Sequence, residues 1–196
     1  SPRNMLRTTW QDWFFSVSDG WHMLESAGKS IFVVGLSMGG VLSLTLASHF
    51  PVKGVIAMSS PYSLPDDPRL PFIRPLSLLV RNVEKGESDW KNPELAKDHV
   101  DYPYYPTRSI AELRDLIAVM RERLPSVTAP TLLVQSREDK AIPAGSAQFI
   151  YDRLGSKDKE ILWVENSGHV VCRDLACGTV FEAAHQFIQK VCQGGG

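Results

Sequence analysis

IFVVGLSMGG, residues 31–40, is the stretch on which the reading of this chain turns. Four apolar residues, Ile31 to Val34, run straight into a lone serine set among glycines. An unbroken apolar run of this length reads as a short buried strand, as in parallel sheets covered on both faces. Gly35-Leu36-Ser37-Met38-Gly39 then fits G-x-S-x-G, a sharp turn that lifts a serine hydroxyl above a strand end and starts a helix at once. Small residues two before and two after the serine, Gly35 and Gly39, let neighbouring backbone approach closely. The N–H of Met38, at the helix start, is placed to bind an oxyanion. Without further context the same five residues also fit a glycine-rich turn with no chemistry.

Outward from this turn the chain alternates strands and helices. Residues 9–27 read as an amphipathic helix with Trp10, Trp13, Phe14, Val17, Trp21 and Leu24 on one stripe, a Thr9/Asp12 capping box and Gly28 as its stop. Residues 38–49 read as a helix ended before Pro51, and VIAMS (55–59) as a second buried strand. From Pro61 to Pro106 prolines and scattered aromatics suggest small helices rather than a sheet, and 109–123 a firmer helix with a Ser109/Glu112 capping box. TLLVQS (131–136) and EILWVE (160–165) read as strands, and 143–154 and 174–191 as helices, the last with Phe181, Ala184, Phe187, Ile188 and Val191 inward. The expected fold is α/β, a mostly parallel sheet flanked by helices. Its core is expected over 1–60 and 126–196, with 61–125 inserted as a small helical cap.

Composition narrows the function classes. A formal net charge of -1 gives no electrostatic reason to expect nucleic acid or an anionic membrane as partner. Ser30 to Phe50 carries no Asp, Glu, Lys or Arg, yet its glycines, serines and threonine dilute it below a membrane span, so no integral membrane segment is expected. Three cysteines argue against a disulfide framework and for a reducing, cytoplasmic setting, and no signal peptide is visible at the start. Cys172 and Cys177 lack a zinc spacing and a fourth ligand, so no metal is expected.

A serine nucleophile needs a base, and the base an orienting acid, in the chain order Ser, acid, His for this turn. SREDK places Glu138 and Asp139 just past the strand at 131–136, and NSGH places His169 just past the strand at 160–165. Ser37, Asp139 and His169 thus all fall beyond carboxyl ends of strands, where open α/β sheets bind ligands. His22, His49, His99 and His185 lie in or near helices or in the inserted segment, and Asp158 and Glu165 flank a strand, so all are weaker candidates. Glu138 is an alternative to Asp139 as orienter. Most of the apolar residues among Leu70, Phe72, Ile73, Leu76, Leu78, Leu79 and Val80 are expected to pack the cap onto the core, the rest to line an acyl pocket. KGESDWK (85–91) reads as a solvated loop.

TTWQDW (8–13), IFVVGLSMGG (31–40), APTLLVQSREDKAI (129–142) and ENSGHVV (165–171) together resemble the α/β-hydrolase superfamily, and within it bacterial carboxylesterases and monoacylglycerol lipases. The resemblance implies Ser37 as nucleophile, Asp139 as acid and His169 as base, with no cofactor. It implies a small-molecule ester substrate, of short or medium acyl chain or a monoacylglycerol. Family chains begin with further strands and a loop containing His-Gly, whose following N–H is a second oxyanion donor. No His-Gly pair occurs here, and the chain starts at SPRNML. The expectation is an N-terminally truncated hydrolase with Met38 as its one oxyanion donor, a loss of about 10²–10³ in rate. Its first strand would carry an exposed edge through which the chain self-associates. A thioesterase or other acyl hydrolase on the same fold, an inactive fragment, and a non-catalytic binding protein are the alternatives.

Overall fold

Strand-by-strand alternation sets the layers of the sheet. The computed structural model describes residues 2–28 and 30–194. Strands β1 (Phe32–Leu36) and β2 (Gly54–Met58) precede a short antiparallel pair, β3 (Asn82–Glu84) and β4 (Tyr104–Pro106), which is followed by β5 (Thr131–Ser136) and β6 (Lys159–Val164). The main sheet has four strands in the order β1-β2-β5-β6, every pairing parallel. β2 and β5 are buried along their whole length. Val55, Ala57 and Leu133 enter one core with Val41, Leu44 and Leu116. Ile56, Met58, Leu132 and Val134 enter the other with Phe187 and Val191. Unbroken apolar strands are thus the signature of two covered faces.

The helices are α1 (Pro2–Met5), α2 (Trp10–Ser26), α3 (Met38–Ala47), α4 (Ile73–Leu79), α5 (Pro93–Lys97), α6 (Thr107–Arg123), α7 (Gly145–Arg153) and α8 (Cys177–Gln193). α2, α3, α6 and α7 feed the first core, and α8 covers the opposite face. The Asp12 carboxylate accepts from the Thr9 N–H at 2.7 Å and its hydroxyl at 2.9 Å, which closes the start of α2. Those bonds, the N–H first, hold Asp12 below the usual carboxylate range. Gly28 ends the helix at φ 68°, a conformation in which a Cβ is strained.

Several sequence expectations need correction. β1 lies at an edge of the sheet, as expected, but the strand is not buried throughout: Val34 is 54% exposed. Leu24 and Phe181 point outward, and Val180 rather than Phe181 joins the core. The 61–125 segment contains the β3–β4 pair as well as helices. There is no Ser109/Glu112 capping box. α6 starts at Thr107, directly after Pro106, and Glu112 is buried, accepting from the Trp10 N–H at 3.2 Å and from Arg74 at 3.1 Å. Of the apolar residues 70–80, Ile73 is buried, whereas Leu78 and Leu79 are 84% and 86% exposed. They do not pack the segment onto the core. α4 is only two turns long, and the face carrying these leucines has no partner among the described residues. Gly195 and Gly196 lie outside the described residues.

Candidate active site

The turn after β1 is built as its residue types require. Ser37 sits at φ 56°, ψ -120°, a backbone that L-residues rarely adopt, and α3 begins at the next residue. The Ser37 N–H donates to the Met58 carbonyl at 2.8 Å, tying the turn to the end of β2. A Cβ on Gly35 would stand 2.1 Å from the Gly39 carbonyl oxygen, and one on Gly40 would stand 1.9 Å from the Ser60 Oγ. A Cβ on Gly39 meets nothing within 4 Å. The close backbone approach therefore requires glycine at 35, whereas at 40 a Cβ would first displace the Ser60 hydroxyl, and Gly39 only lends its carbonyl. The Met38 N–H lies in the first turn of α3, where no helical carbonyl precedes it.

Past β5 and β6 the other two candidates meet. His169 Nδ1 lies 2.9 Å from Asp139 Oδ2. The Asp139 side chain has no exposed surface, and the carboxylate is saturated. Its Oδ1 accepts from the N–H groups of Ala141 and Ile142 at 2.9 and 2.8 Å, and its Oδ2 also accepts from Gln135 Nε2 at 3.1 Å. With three N–H donors already on the carboxylate, His169 Nδ1 meets it as a donor, and in the neutral imidazole this tautomer leaves Nε2 as the acceptor. Ser37 Oγ and His169 are not joined by a hydrogen bond among those of the described residues. The structure brings Asp139 and His169 into contact and sets Ser37 at the end of β1, with β2 between it and the strand that leads to Asp139.

Glu138 is not the orienter. Its Oε2 pairs with Lys91 Nζ at 2.5 Å, and its Oε1 accepts from the Asn166 N–H at 2.7 Å. These two contacts, Lys91 foremost, hold its carboxyl below the usual range. The rival histidines are engaged or apart: His49 Nδ1 lies 2.9 Å from the Thr45 carbonyl oxygen, and His99 packs on Trp90. Asp158 pairs with Lys190 at 2.7 Å.

The loop carrying His169 is fastened at successive residues. Asn166 takes φ 54° with its N–H on Glu138. The Ser167 carbonyl accepts from Ser136 Oγ at 2.6 Å, and the Gly168 N–H donates to Asp174 at 2.8 Å. The His169 N–H donates to Asp89 Oδ2 at 2.9 Å, and its carbonyl accepts from Ser59 Oγ at 2.9 Å. Ser59 itself is buried at φ 46° at the end of β2. Asp174 has no exposed surface and accepts from the N–H groups of Lys91, Asn92, Gly168 and Leu175. Burial pushes its pKa upward, but the four N–H donors, Gly168 first, outweigh that and leave it lowered.

Sequence reasoning missed Ser59, Asp89 and Asp174. The stretch 85–91 is not simply a solvated loop, because Asp89 reaches the backbone of His169. No local pattern marks these residues, since each acts on a partner far along the chain.

Residues 7–176 match the family described as serine aminopeptidase, S33. A carboxylesterase of Bacillus subtilis (strain 168) is 34% identical over 97% of this chain and 76% of its own length. A thermostable monoacylglycerol lipase of Bacillus sp. (strain H-257) is 34% identical over 95% of this chain and 74% of its own. A solved structure from work on LipS and LipT, two metagenome-derived lipolytic enzymes, superposes with a TM-score of 0.89 at 31% identity, covering 97% of this chain and 77% of that one. No described helix is long and apolar enough to cross a membrane.

Proposed function

The chain belongs to the α/β-hydrolase superfamily, in the family described as serine aminopeptidase, S33, and from that premise we propose that Ser37, His169 and Asp139 work as nucleophile, base and orienting acid on carboxylic esters. It is a serine hydrolase of the carboxylesterase and monoacylglycerol lipase type. The observation that carries the residue assignment is the saturated Asp139 carboxylate bound to His169 Nδ1, which leaves Nε2 free to accept a proton.

In this reading His169 Nε2 takes the Ser37 proton as Oγ attacks the ester carbonyl. Asp139 stabilises the imidazolium, and the Met38 N–H binds the oxyanion. The tetrahedral intermediate expels the alcohol, which leaves with the proton from His169. Water then attacks the acyl-enzyme by the same route and releases the acid. Substrate draws serine and imidazole into hydrogen-bonding distance, as apo sites of this kind are often loose. The segment 61–125 is assigned as the cap over a core of 1–60 and 126–196. Short- or medium-chain esters and monoacylglycerols are the proposed substrates, and the cytoplasm the proposed setting.

The test is hydrolysis of p-nitrophenyl butyrate by the chain and by Ser37→Ala, with an aminoacyl p-nitroanilide in parallel. The expected result is ester turnover that falls at least about 10³-fold in the variant, with no comparable amide turnover. Equal rates in the two proteins would remove Ser37 from the reaction. Faster cleavage of the anilide would replace ester with amide as the bond attacked.

A further inference from the structure

Acid and base of the proposed triad stand on separate loops, and a residue from neither loop bridges them. Asp89 Oδ2 accepts from the His169 N–H at 2.9 Å and from the Lys140 N–H at 3.0 Å. Lys140 follows Asp139 directly, so one oxygen atom ties the backbone beside the acid to the backbone of the base. The bridge fits tightly: a Cβ on Gly168 would lie 2.4 Å from the Asp89 carbonyl oxygen and 2.6 Å from its Oδ1. The segment behind Asp89 is itself anchored. The N–H groups of Lys91 and Asn92 lie on buried Asp174 at 2.9 and 3.0 Å, and Lys91 Nζ pairs with Glu138.

We propose that Asp89 is a positioning residue of this hydrolase, acting through His169 and Asp139, an inference that rests on the triad reading above. Each loop keeps its other ties when Asp89 is removed. Asp139 retains Ala141, Ile142 and Gln135, and the histidine loop retains Glu138, Ser136, Asp174 and Ser59. The loops stay folded and remain joined at Glu138 and Ser136, but they lose the tie between the backbones of Lys140 and His169 themselves, and the imidazole drifts relative to Ser37. Misplacement on the ångström scale costs about 10²-fold in the chemical step. Substrate binding does not depend on this bridge, so the loss falls on kcat rather than KM.

The test measures kcat and KM for p-nitrophenyl butyrate, with urea unfolding alongside, on the full chain and on Asp89→Ala, Asp89→Asn and Asp89→Glu. Asn keeps an acceptor oxygen in place without charge, whereas Glu keeps the charge and displaces the oxygen. The expected result is a kcat about 10²-fold lower for Ala and Glu, and within about fivefold of the parent for Asn, with KM unchanged within about twofold. Should Asp89→Ala not fold, the order of Asn above Glu carries the test. A parental kcat in Ala or Glu, an Asn no better than Glu, or a loss confined to KM overturns the positioning role. Ser37→Ala and His169→Ala separate the two readings. If both are inactive while the Asp89 variants are unimpaired, only the bridge falls. If either keeps the parental rate, the triad reading falls and the bridge with it.

Discussion

At Ser37 the chain holds a non-glycine residue at φ 56°, ψ -120° because the strand before it and the helix after it leave no relaxed alternative. Such a backbone costs about 1–3 kcal/mol. Ser37→Gly removes the Cβ that suffers from it, while Ser37→Ala keeps that Cβ, and both remove the hydroxyl. The expected outcome is that Ser37→Gly melts above Ser37→Ala, by about 2–4 °C per kcal/mol released. Equal melting temperatures in calorimetry would mean that the turn stores no strain. The two glycines of the motif separate in the same way. Gly35→Ala drives a Cβ to 2.1 Å from a backbone oxygen and is expected to destabilise by more than about 3 kcal/mol. Gly39→Ala meets open space in a helix and is expected to hold or gain about 0.5–1 kcal/mol. Urea unfolding of the two variants checks this, and similar losses in both would contradict the geometry. The motif alone makes these two positions look equivalent; only the backbone packing tells them apart.

Elements were legible in the sequence where their periodicity was strong. α2 with its Thr9 start, β2, β5 and α7 stand close to where the apolar patterns put them, because one face or two faces of each are buried and leave that pattern. The weaker segments were misread where a long-range partner decides. Glu112 looks like a capping residue by spacing but is taken by Trp10 and Arg74, and Asp174 looks like the start of a helix but is a hub for four backbone donors. Ser37, Asp139 and His169 stand out as candidates because each follows a strand that announces itself; Ser59, Asp89 and Asp174 do not, because hydrogen bonds across many residues leave no spacing. Asp174 also gives a pH prediction. Its folded pKa is lowered, so its contribution is complete above the unfolded value of about 3.9 and is lost as pH falls through the lower folded value. Compared with Asp174→Asn by urea unfolding, the parent chain is expected to be more stable at neutral pH by about 1–3 kcal/mol. That advantage shrinks through the window below pH about 4. A gap that stays constant into acid would show that Asp174 is not held ionised by its donors.

For the whole molecule, the order β1-β2-β5-β6 sets the strand leading to Ser37 at one side of the sheet and the strand leading to His169 at the other, with that of Asp139 between them. In the proposed reading substrate sits across the carboxyl ends of the sheet, under the segment 61–125, and Asp89 ties that segment to the backbones of Lys140 and His169. The same order leaves the outer side of β1 without a partner strand among the described residues. Its backbone donors and acceptors are flanked by exposed Val34, and such an edge is a template for pairing with another copy. The expected behaviour of the 196-residue chain is concentration-dependent self-association, seen as a sedimentation coefficient that rises with loading. Val34→Lys puts a charge on the edge without touching the buried face, and is expected to shift the chain toward monomer while leaving ester hydrolysis per chain unchanged. A parent chain that sediments as a monomer at every concentration would rule out pairing through β1. An oligomer indifferent to Val34→Lys would move the contact elsewhere, and the exposed leucines of α4 would then be the next surface to charge.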